Sequence, residues 1–177
     1  MPRIHLRAGE ALWGSLEAHL LGDGVEQVAF LLADLSDGDS TADLHLREIA
    51  RVAPLDFTYQ GAFHVSLADD VRPRMIKWAW DRGSCLVEAH SHLEGPAAFS
   101  PTDLAGLEEF VPHMWWRLQR PYAALVLAPD GFDGLAWVHG PEAPVGIDGV
   151  RIDGGRDLKP TTGITARTLW RKLSRGG

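Results

Sequence analysis

Apolar residues recur four apart at Leu12, Leu16 and Leu20, a spacing that lines them up on one face of a helix. Gly22, Asp23 and Gly24 end the pattern, so a helix is predicted over 8–21. Residues 27–35 form a dense apolar run closed by Asp37, Gly38 and Asp39, too short for an ordinary helix and therefore a buried strand. A less regular strand follows over 44–52. Helical spacing returns at Leu67, Val71, Met75, Trp78 and Arg82; Pro73 requires a start near Val71 or a kink, and Gly83 ends the helix. Residues 85–92 read as another strand. Ser100-Pro101-Thr102-Asp103 then supplies a cap, a proline at the first helical position and an acid in the first turn, so a helix over 101–118 is predicted. Pro129-Asp130-Gly131 separates apolar runs at 122–128 and 132–139 and predicts a hairpin. Residues 140–163 are rich in Gly, Pro and Asp with one short strand at 149–152, and 164–173 has the pattern of a last amphipathic helix.

This order is that of an α/β fold. At 177 residues and 45% hydrophobic, the chain suits one compact domain, placed over 1–155, with a C-terminal tail over 156–177 that holds the short last helix. A net charge of −7 with scattered Lys and Arg argues against nucleic acid as a partner. The single cysteine, Cys85, cannot close an internal disulfide and sits in an apolar run, so burial and a reducing compartment are expected. Arg3, His5 and Arg7 interrupt Ile4 and Leu6, which is unlike a signal peptide, and no run of eighteen apolar residues follows. The expectation is a cytoplasmic protein with no membrane partner.

Chemistry concentrates at one place. Alternate side chains of a strand share a face, so His90 and His92 point the same way and can hold one metal ion. Asp103 comes eleven residues later, and Ser100, three residues before it, shares the first-turn face of the following helix. Two imidazoles and one carboxylate leave the fourth tetrahedral position of Zn²⁺ open to water, as a catalytic rather than a structural site requires. Mixed sets of this kind also accept other divalent ions.

The spacing His-x-His-x(7)-Ser-x(2)-Asp resembles the JAMM motif of the JAMM/MPN (Mov34) metalloproteases at all four positions. The stretch Glu26-Gln27-Val28-Ala29-Phe30-Leu31 is similar to the upstream segment that carries that family's glutamate, with Ala29 where glycine is usual. Leu93-Glu94 stands where the family has proline after the second histidine. The resemblance implies a mixed, curved sheet flanked by helices, a cytidine deaminase-like architecture. It implies zinc on His90, His92 and Asp103. Glu26 would take a proton from the attacking water and pass it to the leaving amine, and Ser100 would hydrogen-bond the developing oxyanion. The implied reaction is hydrolysis of an amide or isopeptide bond at the C-terminus of a ubiquitin-like or sulfur-carrier protein with a Gly-Gly-type tail. Activating and conjugating enzymes of the same pathway would be further partners. A peptidase or amidohydrolase acting on a small conjugate, and a non-catalytic MPN scaffold, are the alternative readings.

Each residue also has a plainer role open to it. Ser100 suffices as a helix cap, Glu26 as a solvated charge after a glycine turn, and Glu88, on the same strand face as the histidines, is a rival base. The other histidines have no paired spacing. Trp115 and Trp116 read as core packing, and Arg175-Gly176-Gly177 as a terminal coincidence with modifier tails.

Overall fold

Ile4, Leu6 and Ala8 are buried while Arg3, His5 and Arg7 face outward, the period-two pattern of strand β1, Arg3–Ala8. It opens the computed structural model of the chain, which describes residues 3–38, 40–94 and 96–161. Helix α1, Glu10–Leu21, follows and buries Trp13, Leu16 and Leu20; Leu12 packs at the edge of that face. Strands β2, Val28–Asp37, and β3, Thr41–Arg51, form an antiparallel pair with a bulge between Leu32 and Ala33. A 3-10 turn leads into the short pair β4, Phe57–Gln60, and β5, Val65–Leu67. Helix α2, Val71–Arg82, starts where Pro73 falls in its first turn, whose N–H groups need no helical partner, and ends on Gly83 with φ 65°.

Strand β6, Cys85–Ser91, helix α3, Pro101–Leu118, and strand β7, Tyr122–Ala128, form a parallel strand–helix–strand unit. The Pro129-Asp130 turn joins β7 to β8, Gly131–Trp137. Short strands β9, Val145–Gly146, β10, Gly149–Ile152, and β11, Arg156–Leu158, complete the described chain.

Nine of these strands make one mixed sheet in the order β11-β10-β1-β3-β2-β6-β7-β8-β9, while β4 and β5 pair separately. Helix α1 covers one face over Leu6, Leu31, Val87 and Leu125; α2 and α3 cover the other over Phe30, Leu86, Tyr122 and Trp137. The expected α/β arrangement of a mixed sheet flanked by helices is therefore present, and the sheet dominates it. Strands β1, β4, β5, β9 and β11 were not expected. β11 lies in the stretch assigned to the tail and pairs with β10 at the sheet edge. The helix expected over 164–173 falls outside the described residues. No helix among the described residues is long and apolar enough to cross a membrane.

Candidate metal centre

The parallel pairing of β6 and β7, with α3 crossing between them, creates a crevice at the carboxyl ends of the two strands, where α/β sheets commonly bind ligands. His90 is the penultimate residue of β6. His92 lies one residue past the strand, and its N–H still donates to the Leu127 carbonyl at 2.8 Å, so it keeps the facing of His90. The chain then loops back with Ala97, Ala98 and Phe99 buried, the Ala97 N–H donating to Asp130 Oδ1 at 3.2 Å and the Phe99 ring 5.9 Å from that of His90. This delivers the first turn of α3, and with it Asp103, to the histidines.

The separations are 3.3 Å between His90 Nε2 and His92 Nε2, 3.5 Å from His90 Nε2 to Asp103 Oδ2, and 3.3 Å from His92 Nε2 to Asp103 Oδ2. A tetrahedral ion with ligand bonds of roughly 2.0–2.1 Å holds its ligand atoms about 3.3–3.4 Å apart, so this triangle has the size such an ion requires. Two imidazole nitrogens and a carboxylate oxygen this close together are also a donor set suited to a divalent cation. The cluster could hold a metal ion. Burial pushes the Asp103 carboxyl up, but hydrogen bonds from His90 and His92 outweigh it and hold the group well below the usual carboxylate range. His92 is raised, first by its hydrogen bond to Asp103.

Ser100 closes a capping box. Its hydroxyl oxygen accepts the Asp103 N–H at 3.1 Å, while its own N–H donates to Asp103 Oδ2 at 2.7 Å. The capping role is thus real, and it also fixes the carboxylate oxygen that faces the histidines. Glu26 is buried just before β2 and lines, with His92, Ser100 and Asp103, a cleft of about 410 Å³. Burial raises its carboxyl above the ordinary value, against the pull of His92 and His90. All five residues singled out in the sequence therefore meet around one site.

Glu88 is placed differently. Arg72 grips it with two hydrogen bonds, Nε to Oε2 at 3.1 Å and Nη2 to Oε1 at 2.7 Å, and the Tyr122 hydroxyl donates to Oε2 at 2.9 Å. Burial would raise Glu88, yet Arg72 and Tyr122 lower it overall, so it is a fixed anion rather than a base.

No family model matches the chain, and no curated protein matches it. Among solved structures it is similar to the solution structure of protein DSY2949 from Desulfitobacterium hafniense, with 17% identity over 84% of this chain and 92% of that one, and a TM-score of 0.51. At that identity the likeness is one of fold alone.

Three supporting residues have no motif to announce them. The fully buried Ser91 accepts the Gln27 N–H on its hydroxyl at 2.9 Å, and its own N–H donates to the Gln27 carbonyl at 3.1 Å, tying the histidine strand to the residue after Glu26. The Gln60 amide donates to the Glu26 carbonyl and to Gln27 Oε1, both at 3.0 Å. The Gly61 carbonyl accepts the Glu26 N–H at 2.8 Å. A serine on the apolar side of a histidine strand was the one available signal. Gln60 and Gly61 arrive from the β4–β5 hairpin, which local spacing did not reveal.

Proposed function

We propose that this chain is a zinc-dependent hydrolase of the JAMM/MPN kind that its motif resembles, cleaving an amide or isopeptide bond at the C-terminus of a ubiquitin-like or sulfur-carrier protein. The observation that carries the reading is the triangle of His90, His92 and Asp103, sized for a tetrahedral ion, in one cleft with a buried carboxylate. The element order, with the ligands on a β6–α3 junction and Glu26 at the head of β2, fits the cytidine deaminase-like architecture that the motif implies. Zinc is part of the proposal, since two histidines and an acid are a frequent zinc set. So is a cytoplasmic setting, with which a free, buried Cys85 agrees.

A zinc ion held there would supply Lewis acidity for the scissile carbonyl and a lowered pKa for water. Glu26 takes a proton from the attacking water and gives it to the leaving nitrogen. The C–N bond breaks, the water oxygen stays on the acyl carbon, and the released amine carries the proton. Ser100 uses its oxygen lone pair for the Asp103 N–H, which leaves its O–H to donate to the developing oxyanion.

The experiment is to incubate the zinc-loaded protein with ubiquitin-like and sulfur-carrier fusions that end in Gly-Gly before a reporter, beside variants in which either glycine is Leu or Arg. Cleavage after Gly-Gly, lost in His90→Ala with His92→Ala together with bound zinc, is the expected result. Equal cleavage of all variants, or cleavage of small acylated amino acids alone, would favour the peptidase reading. No cleavage of any substrate with zinc bound would favour the scaffold.

A further inference from the structure

Glu26 and Gln27 precede β2, which begins at Val28, so they stand outside its ladder. Their four backbone polar groups are nevertheless all paired, and the partners divide in two. Gln27 is tied to the histidine strand: its N–H donates to Ser91 Oγ and its carbonyl accepts the Ser91 N–H. Glu26 is tied to the β4–β5 hairpin. Its N–H donates to the Gly61 carbonyl at 2.8 Å, and its carbonyl accepts from Gln60 Nε2 at 3.0 Å. The turn that carries both partners is closed by the Gly61 N–H on the His64 carbonyl at 3.0 Å.

The polarity of this tie is fixed from a distance. An ionised Asp23 can only accept, so the Gln27 amide turns its Nε2 to Asp23 Oδ2, at 3.0 Å, and its oxygen to Gln60. Gln60 Nε2 then commits one N–H to Gln27 Oε1 and the other to the Glu26 carbonyl, both at 3.0 Å. The Glu26 carboxylate takes no part in these bonds, and the residue lines its cleft beside His64 and His92.

We propose that Gln60 is a positioning residue for Glu26, holding the base from the hairpin through its main chain and without touching substrate. Misplacing a reacting group by about 1 Å costs on the order of 10²-fold in rate, so this bond matters more to turnover than to folding. The proposal rests on the hydrolase reading and deepens it by naming the part of the fold that holds the base.

Gln60→Glu tests it, because a carboxylate at that position keeps the shape of the amide and, ionised near pH 8, has no donor for either acceptor. With the Gly-Gly fusion, kcat should fall about tenfold to a hundredfold, with KM within about twofold and zinc still at one per chain. Adding Asp23→Asn separates fold from function. The new amide can donate to Gln27 Oε1, and Gln27 can donate in turn to the carboxylate at position 60, so the relay is restored while the Glu26 carbonyl still lacks its donor. The urea midpoint should return toward that of the native protein, and kcat should stay low. A second readout needs no turnover. In both variants the Glu26 amide should exchange with solvent about tenfold or more faster, while the Gln27 amide, bonded to Ser91, keeps its protection. Should Gln60→Glu fail to fold, Gln60→Met removes both donors without adding a charge and carries the same expectations for kcat, KM and exchange. Recovery of kcat together with stability in the double variant would reduce Gln60 to a support of the fold and overturn the proposal. Glu26 exchange unchanged by loss of the Gln60 donors would overturn it as well. Native protein that cleaves no substrate would count against the hydrolase reading instead, and amide exchange would still decide whether Gln60 holds the Glu26 main chain.

Discussion

Two buried acids near the centre are separated by their surroundings. Among the described residues no side chain donates to Glu26, which faces the cleft beside His92, whereas both oxygens of Glu88 are taken by Arg72 and Tyr122. Glu26→Gln matches the native shape without a basic lone pair, so the variant should retain fold and metal and lose about 10²–10⁴ in turnover, read by kcat beside elemental analysis. Glu88→Ala strands the Arg72 cation. A fully buried broken pair costs about 3–5 kcal/mol, and because Arg72 is partly exposed the expected loss is nearer about 2–3 kcal/mol, measured by urea unfolding. If Glu26→Gln turned over normally and Glu88→Gln abolished hydrolysis without destabilising the fold, the assignment of the base would be wrong.

The strand β6 and the helix α3 hold the site through two serines that act in different ways. Removing the Ser100 cap should cost about 1 kcal/mol and weaken metal binding, because the box that orients Asp103 Oδ2 is broken. Ser91→Ala leaves the buried Gln27 N–H without its partner, at about 1–3 kcal/mol, and frees the start of β2 relative to β6. It should therefore lower kcat while zinc stoichiometry stays at one per chain; loss of zinc with unchanged kcat per bound ion would contradict the clamp. The sequence made α3 legible through its cap and its proline, and β6 through its apolar run. It concealed the β4–β5 hairpin, because Tyr59 and Phe63 are largely exposed, Phe57 and Val65 only partly buried, and no alternation survives. β1 did carry alternation, at Ile4, Leu6 and Ala8, but six residues with Arg3, His5 and Arg7 between them make too short and too charged a run to stand out as a buried strand.

At the scale of the whole molecule, the long central strands announced themselves because a strand covered by helices on both faces is continuously apolar, as β2 is from Val28 to Ala33. The edge strands β9 and β11, two and three residues long, are too short to show an apolar period of their own, although each pairs with the strand just before it in the chain. The candidate site, by contrast, was legible because His90, His92 and Asp103, the cluster that could hold a metal ion, lie on adjacent elements. It also couples the stability of the whole fold to pH. Without metal, the hydrogen bond to Asp103 raises His92 above 6.5, so this pair stabilises the fold fully below that value and loses its contribution as pH rises through the raised one. A metal ion needs the same imidazole neutral, so the dependence has the opposite sign once zinc is bound. Zinc at about 100 times its dissociation constant adds about 2.7 kcal/mol, and in a domain of this size each kcal/mol moves Tm by roughly 2–4 °C. The rise in Tm on adding zinc should therefore be small near pH 6, where His92 holds its proton, and reach on the order of 5–10 °C near pH 8. Scanning calorimetry with and without zinc at both pH values measures it, with His90→Ala, His92→Ala protein as the control. A zinc effect independent of pH, or one that survives in the control, would mean that the ion binds somewhere other than on this triangle.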